Sequence, residues 1–166
     1  NARRAPLKKT ENILVFYQKS PVYFPQFEQG KPYKKIHRCS GNSPNYGKFE
    51  RTSGESDGQR FPGNVLTFPT VQRTVHPTQK PVELGRYLIR TYTDPGDVVL
   101  DNACGSGSFC VAACLEGRRY IGIEKNEGVA RFKNEPIDYI EVCRRRLEEA
   151  RSRMDEENAI AYPASS

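Results

Sequence analysis

Two carboxylates, Asp101 and Glu124, end two apolar runs about twenty residues apart, and a pair of glycines lies between them. The first run, Asp97-Val98-Val99-Leu100, predicts a buried strand. Asn102-Ala103-Cys104-Gly105-Ser106-Gly107-Ser108 follows, and the small, apolar residues 109–115 then predict a helix. A strand that ends in an acid, turns on two glycines and feeds a helix is how an open α/β sheet builds a nucleotide-type pocket. Glycine lets the backbone pass close to a ligand, and the helix N-terminus offers N–H donors. The second run, Arg119-Tyr120-Ile121-Gly122-Ile123, sets Glu124 where a carboxylate can take two ribose hydroxyls. Alone, the glycine turn also suits a junction that binds nothing. A nicotinamide site fits less well, because Cys110 stands where the dinucleotide fingerprint has its third glycine.

Upstream lies His76-Pro77-Thr78-Gln79-Lys80-Pro81-Val82-Glu83-Leu84. Pro77 and Pro81 fix φ and bias the residues before them towards extended backbone, so this is a stiff lead-in. A helix is predicted over 82–93, begun by Pro81, with Val82, Leu84, Tyr87, Leu88 and Thr91 as its apolar stripe.

Taken with Val99-Leu100-Asp101, Gly105-Ser106-Gly107-Ser108 and Tyr120-Ile121-Gly122-Ile123-Glu124, this segment resembles the cofactor half of the permuted, beta-class DNA amino-methyltransferases. The run Glu11–Lys19 is similar to the strand that precedes their target-recognition region. The resemblance covers most of residues 11–124. It implies an α/β fold, namely part of a Rossmann-like S-adenosylmethionine-dependent methyltransferase sheet with an irregular, loop-rich target-recognition insert. It also implies cofactor contacts from Thr78, Lys80, Asp101, Ala103, Cys104, Gly105, Ser106, Gly107, Ser108 and Glu124. Lys80 and the glycine turn would meet the cofactor carboxylate, Asp101 its amino group, and Glu124 its ribose.

The same resemblance divides the chain. Residues 1–20 would hold the last strand of the catalytic half, 21–72 the target-recognition region, 73–154 the S-adenosylmethionine-binding segment, and 155–166 a flexible tail. Asn102-Ala103-Cys104 departs from the Pro-Phe-Ala-like residues frequent in the family, which alters the surface offered to adenine or methionine. Family members grip the flipped base with an acidic or polar residue followed by Pro-Pro and an aromatic. None of the 12 prolines here is followed by another. The implied protein is therefore the C-terminal part of a site-specific DNA methyltransferase. It would act on adenine N6 rather than cytosine N4, as in phage or restriction-modification enzymes, and would hold no catalytic residue of its own. It would need a complementing N-terminal half, a partner chain or a homodimer contact.

Charge separates the two ends. Residues 1–60 carry 12 Lys/Arg against 5 Asp/Glu, while the chain as a whole carries a net +6, so the entire positive excess lies in the first part. Lys31, Lys34, Lys35, Arg38, Lys48, Arg51 and Arg60 stand there among Tyr23, Tyr33, Tyr46 and Phe49. Such a basic stretch with aromatic interleaving suits phosphate and base contacts on double-stranded DNA, and equally a solvated insert.

Residues 21–60 are expected to be irregular. Strands are expected at Ile13–Gln18 and Val65–Phe68, a helix begun by Pro136 with Ile137, Ile140, Cys143, Leu147, Ala150 and Met154 on one face, and fraying after Met154. At 36% hydrophobic residues and a mean hydropathy of −0.74, the chain is poor in core for a self-sufficient doubly wound sheet. The 5 cysteines include no Cys-x-x-Cys pair, and the chain has 2 histidines, so a zinc site is not expected. An odd cysteine count without a leader suggests reducing cytoplasm, and no run approaches the roughly 18 apolar residues of a membrane span.

Overall fold

The computed structural model describes residues 9–35, 41–45, 47–49, 54–125, 131–132 and 135–161. Its centre is a parallel pair of strands, β7 (Val98–Asp101) and β8 (Arg119–Gly122), joined by helix α2 (Ser108–Leu115). Register runs from Val98 opposite Arg119 to Asp101 opposite Gly122. The parallel β7–α2–β8 unit confirms the expected α/β architecture.

Alternation sets which face is covered. Val99 and Tyr120 pack against Ile89, Ala112 and Ala113 on the helical side. Their neighbours Val98, Leu100, Ile121 and Ile123 point the other way and stay exposed, Leu100 at 61%. Period-two alternation makes that face one continuous apolar surface.

Helix α1 (Val82–Tyr92) packs on α2, and α2 packs on α3 (Tyr139–Ala161). The buried residues of α1 are Gly85, Ile89 and Thr91; of the expected stripe, Thr91 is buried and Val82 packs against the Ile89 cluster, while Leu84, Tyr87 and Leu88 are half-buried. A side chain at position 85 would collide with Ala112, so glycine there is what brings α1 close to α2. Glu116 at the end of α2 accepts from Arg86 at 2.6 Å and from Arg90 at 3.1 Å, fastening the two helices. The Arg86 guanidinium is held above its ordinary pKa, chiefly by that hydrogen bond to Glu116.

Helix α3 starts at Tyr139 rather than at Pro136. Asp138 caps it, its Oδ1 accepting from the N–H groups of Ile140 and Glu141 at 2.9 and 3.1 Å. Pro136 belongs instead to β10 (Glu135–Pro136), which pairs with β9 (Arg131–Phe132). The helix continues to Ala161.

The segment expected to be irregular is a nested antiparallel arm. Its outermost pair is β1 (Glu28–Gln29) with β6 (Gln59–Arg60), followed by β2 (Tyr33–Lys35) with β5 (Gly54–Ser56) and β3 (Gly41–Ser43) with β4 (Gly47–Phe49). These strands are too short and too polar for hydrophobic alternation to reveal them. Two strands expected from sequence do not form: residues 13–18 and 65–68 join no sheet. Ile13, Leu14, Phe16 and Val65 are exposed, with no strand among the described residues to pair with. Tethers run from this part of the chain to α1, with Phe24 N–H donating to Thr91 C=O at 2.9 Å and Phe68 meeting Tyr87 edge to face.

Glu116→Ala should destabilise the α1–α2 pair by about 2–3 kcal/mol, because two guanidinium groups lose a largely buried acceptor. A change in unfolding free energy smaller than about 0.5 kcal/mol in denaturant titration would show the contact to be ornamental.

Candidate functional site

Every feature of the predicted strand–turn–helix unit meets at the C-terminal ends of β7 and β8. Asp101 ends β7, and its Oδ1 accepts the Ala103 N–H at 3.2 Å, starting the turn. Cys104 N–H donates to Ile123 C=O at 2.9 Å, and Gly107 N–H to Cys104 C=O at 2.7 Å. Gly105 at φ +49° and Gly107 at φ +76° adopt the left-handed backbone that other residues rarely take. Gly107 is the N-cap of α2 and carries no capping side chain.

Glu124 stands beside this turn. Its Oε2 accepts the Gly105 N–H at 2.7 Å, so the second carboxylate and the glycine loop form one unit. The proline-flanked motif joins them through His76. The ring lies where a Gly105 side chain would be and packs on Tyr139 with centroids 4.5 Å apart. Thr78 N–H donates to His76 Nδ1 at 3.2 Å, and the Thr78 hydroxyl lies at the same distance from it. Val75 N–H donates to Gln79 Oε1 at 2.9 Å, closing the segment on itself.

Asp101, Ala103 to Ser108 and Glu124 are thus brought together, with Thr78 reached through His76. Lys80 is engaged elsewhere, in an exposed ion pair with Glu11 at 2.6 Å. The Cys104 side chain turns into the core, 7% exposed, so the departure at this position does not alter an outer surface. Ser106 and Ser108 are also buried.

Both serines are held by a residue that motif and spacing did not single out. Arg146 reaches back from α3, and its Nη1 donates to Ser106 C=O at 2.5 Å, Ser106 Oγ at 3.0 Å and Ser108 Oγ at 3.3 Å. Burial lowers the pKa of this guanidinium from its ordinary value. A signal was present: residues 143, 146, 147 and 150 follow helical spacing, so an arginine interrupts an otherwise apolar stripe. Tyr139, one turn before Cys143, was missed in the same way.

Beneath the turn, Cys104, Cys110 and Cys143 form one buried cluster. A hydrogen bond from Cys110 and the nearby Arg146 charge hold the Cys143 thiol down at about 7. Cys110 is raised as the donor of that bond, and burial pushes Cys104 up to about 11.

The basic arm lies apart from the turn in sequence. Lys31, Lys34 and Arg60 are exposed; Lys34 faces Glu55 across the β2–β5 pair at 2.6 Å, and Arg60 lies 5.9 Å from the Tyr33 ring centre. Lys35 and Lys48 are placed within β2 and β4. Arg38 and Arg51 fall outside the described residues, as do His37, Cys39 and Tyr46.

This arrangement has relatives. A family model described as DNA methylase matches residues 1–135. The chain belongs to the DNA methylase family. The DNA adenine methyltransferase YhdJ of Escherichia coli (strain K12) is 39% identical over 97 residues, 55% of this chain and 30% of that protein. The type II methyltransferase M2.DpnII of Streptococcus pneumoniae is 40% identical over 73 residues, 44% of this chain and 24% of its own length. Among solved structures, the M1.HpyAVI–SAM complex aligns with a TM-score of 0.38 at 34% identity, covering 50% of this chain and 36% of that one. The chain thus spans less than a third of the length of these curated relatives. No described helix is long and apolar enough to cross a membrane.

Arg146→Met should cost about 2–4 kcal/mol, since it strands the buried Ser106 carbonyl and two serine hydroxyls. Arg146→Lys should recover only part of this, because a single ammonium cannot reproduce the planar fork. Denaturant titrations of both variants check the order.

Proposed function

We propose that this methylase chain supplies the cofactor site and the DNA-reading arm of an adenine-N6 methyltransferase that uses S-adenosylmethionine. The observation that carries the reading is the glycine turn fastened between Asp101 and Glu124 at the ends of two parallel strands. Its residues suit that cofactor. Gly105 and Gly107 permit the left-handed backbone of the turn, and Glu124 keeps a second carboxylate oxygen for ribose hydroxyls. Asp101 offers an acceptor to the amino group, while Thr78, Ala103, Cys104, Ser106 and Ser108 shape the turn around it. Lys80 reaches the cofactor carboxylate by exchanging its exposed partner Glu11, an exchange that costs little because exposed ion pairs are weak.

When bound, S-adenosylmethionine supplies an electrophilic methyl on a sulfonium centre. The role of this chain is to hold and orient it and to exclude water from the turn. The base amino group would be presented by residues outside this chain, whose prolines include no Pro-Pro pair. Supporting the adenine assignment is the matched relative whose name specifies adenine.

The exposed Val98, Leu100, Ile121 and Ile123 face is the natural seat of that complementing part. The antiparallel arm carries Lys31, Lys34, Lys35, Lys48 and Arg60 and, in the segments between its strands, Arg38 and Arg51. It is proposed to follow the phosphate backbone of double-stranded DNA, with its aromatics near the bases.

Calorimetry should show S-adenosylmethionine binding in preference to NADH. Glu124→Ala should weaken it by roughly tenfold to a hundredfold, the worth of a hydrogen bond to a charged group. Equal binding of NADH would overturn the cofactor reading. Adding a segment that bears the Pro-Pro motif should produce methyl transfer to adenine N6, read by nucleoside analysis of the DNA; N4-methylcytosine as the product would overturn the base assignment. Converting Lys31 and Arg60 to Gln should flatten the salt dependence of DNA binding by about one logarithmic unit per lost phosphate contact.

A further inference from the structure

Three thiols converge under the turn from three separate places in the chain. Cys104 belongs to the turn itself, Cys110 to α2 and Cys143 to α3. All three are buried, and their sulfurs lie within 4.8 Å of one another. We propose that they form a site for one thiophilic divalent cation of the zinc class.

The distances suit this chemistry. Bonds of about 2.3 Å from a tetrahedral metal to sulfur set neighbouring sulfurs about 3.8 Å apart, so side-chain adjustments of about an ångström or less complete the set. Space has been kept for the sulfurs. A side chain at Gly107 would collide with Cys143 Sγ, and one at Gly122 would come within 2.8 Å of Cys110 Sγ and 3.1 Å of Cys104 Sγ. Two backbone segments therefore approach the cluster as closely as glycine permits.

Charge suits it as well. Three thiols bind the dication as thiolates, forming three metal–sulfur bonds and releasing three protons to solvent, with no change in oxidation state. The resulting unit carries one net negative charge, and the Arg146 guanidinium, which holds Ser106 and Ser108, stands beside Cys143 to offset it. Three protein ligands leave one tetrahedral position for water. An occupied site would tie the turn directly to α3, coupling the shape of the cofactor loop to metal supply.

The metal site stands independently of the adenine assignment. Spacing along the chain offers no hint of it, because residues 104, 110 and 143 match no ligand pattern.

Cadmium is the probe, since its thiolate complexes absorb in the ultraviolet and its NMR resonance reports sulfur coordination. Titrated into the reduced chain, it should bind at one equivalent with a sulfur-rich resonance. Cys104→Ser and Cys143→Ser should each weaken binding by more than about tenfold, beyond what changes around a ligand sphere usually cause. Cys39→Ser and Cys114→Ser should leave it unchanged. If circular dichroism shows that a cluster variant fails to fold, the NMR resonance of the unsubstituted chain decides. Absence of stoichiometric binding, an oxygen-rich resonance, or loss of binding in Cys39→Ser or Cys114→Ser would overturn the proposal. Failure of S-adenosylmethionine binding would leave it standing.

Discussion

The turn after β7 is gripped from two sides by opposite charges, and the rest of the site depends on that grip. Glu124 takes the Gly105 N–H on one side, and Arg146 takes Ser106 and Ser108 on the other. Helix α2 has no charged residue in its first or last turn and no capping side chain at Gly107, so it cannot anchor its own start. Hydrogen bonds to charged groups are roughly twice as strong as neutral ones, and burial sharpens them. The left-handed backbone at Gly105 and Gly107 is thus held by residues that follow β8 and lie on α3, not by local preference.

That dependence explains why elements distant in the chain meet in one site. α3 lies far along the chain yet supplies both Arg146 and the Tyr139 ring on which His76 rests. His76 in turn fills the space over Gly105, so the proline-flanked motif, the glycine turn and the last helix share one junction. The strands contribute position: both carboxylates emerge at their C-terminal ends, where open parallel sheets place ligands. Among the described residues, helices cover one side of the sheet they form, and its other face carries the aliphatic side chains of Val98, Leu100, Ile121 and Ile123.

Much of this architecture is legible in local patterns of residues. The β7–α2–β8 unit, the start of α1 and the pairing of two acids with one turn all follow from them. The failures have physical causes. The Ile13–Gln18 and Val65–Phe68 runs have strand-like composition but no partner among the described residues, and a strand exists only as a pair. The antiparallel arm was missed for the opposite reason: its strands are polar and short, and backbone pairing holds them without a hydrophobic face. At α3, Pro136 is a plausible first-turn residue, but Asp138 makes the stronger cap by accepting two N–H groups.

The sequence by itself determined the chemistry on offer: two carboxylates, a turn only glycine can make, a proline-stiffened lead-in and a basic first third. These are local properties, fixed by residue type and spacing along a strand or helix. Tertiary structure alone decided that Arg146 is an anchor of the turn rather than a surface charge, that Cys104 faces inward, and that Cys143 shares one buried volume with Cys104 and Cys110. Those outcomes depend on how α3 docks against α2. Docking is set by the summed fit of many side chains, which no single stretch of sequence contains.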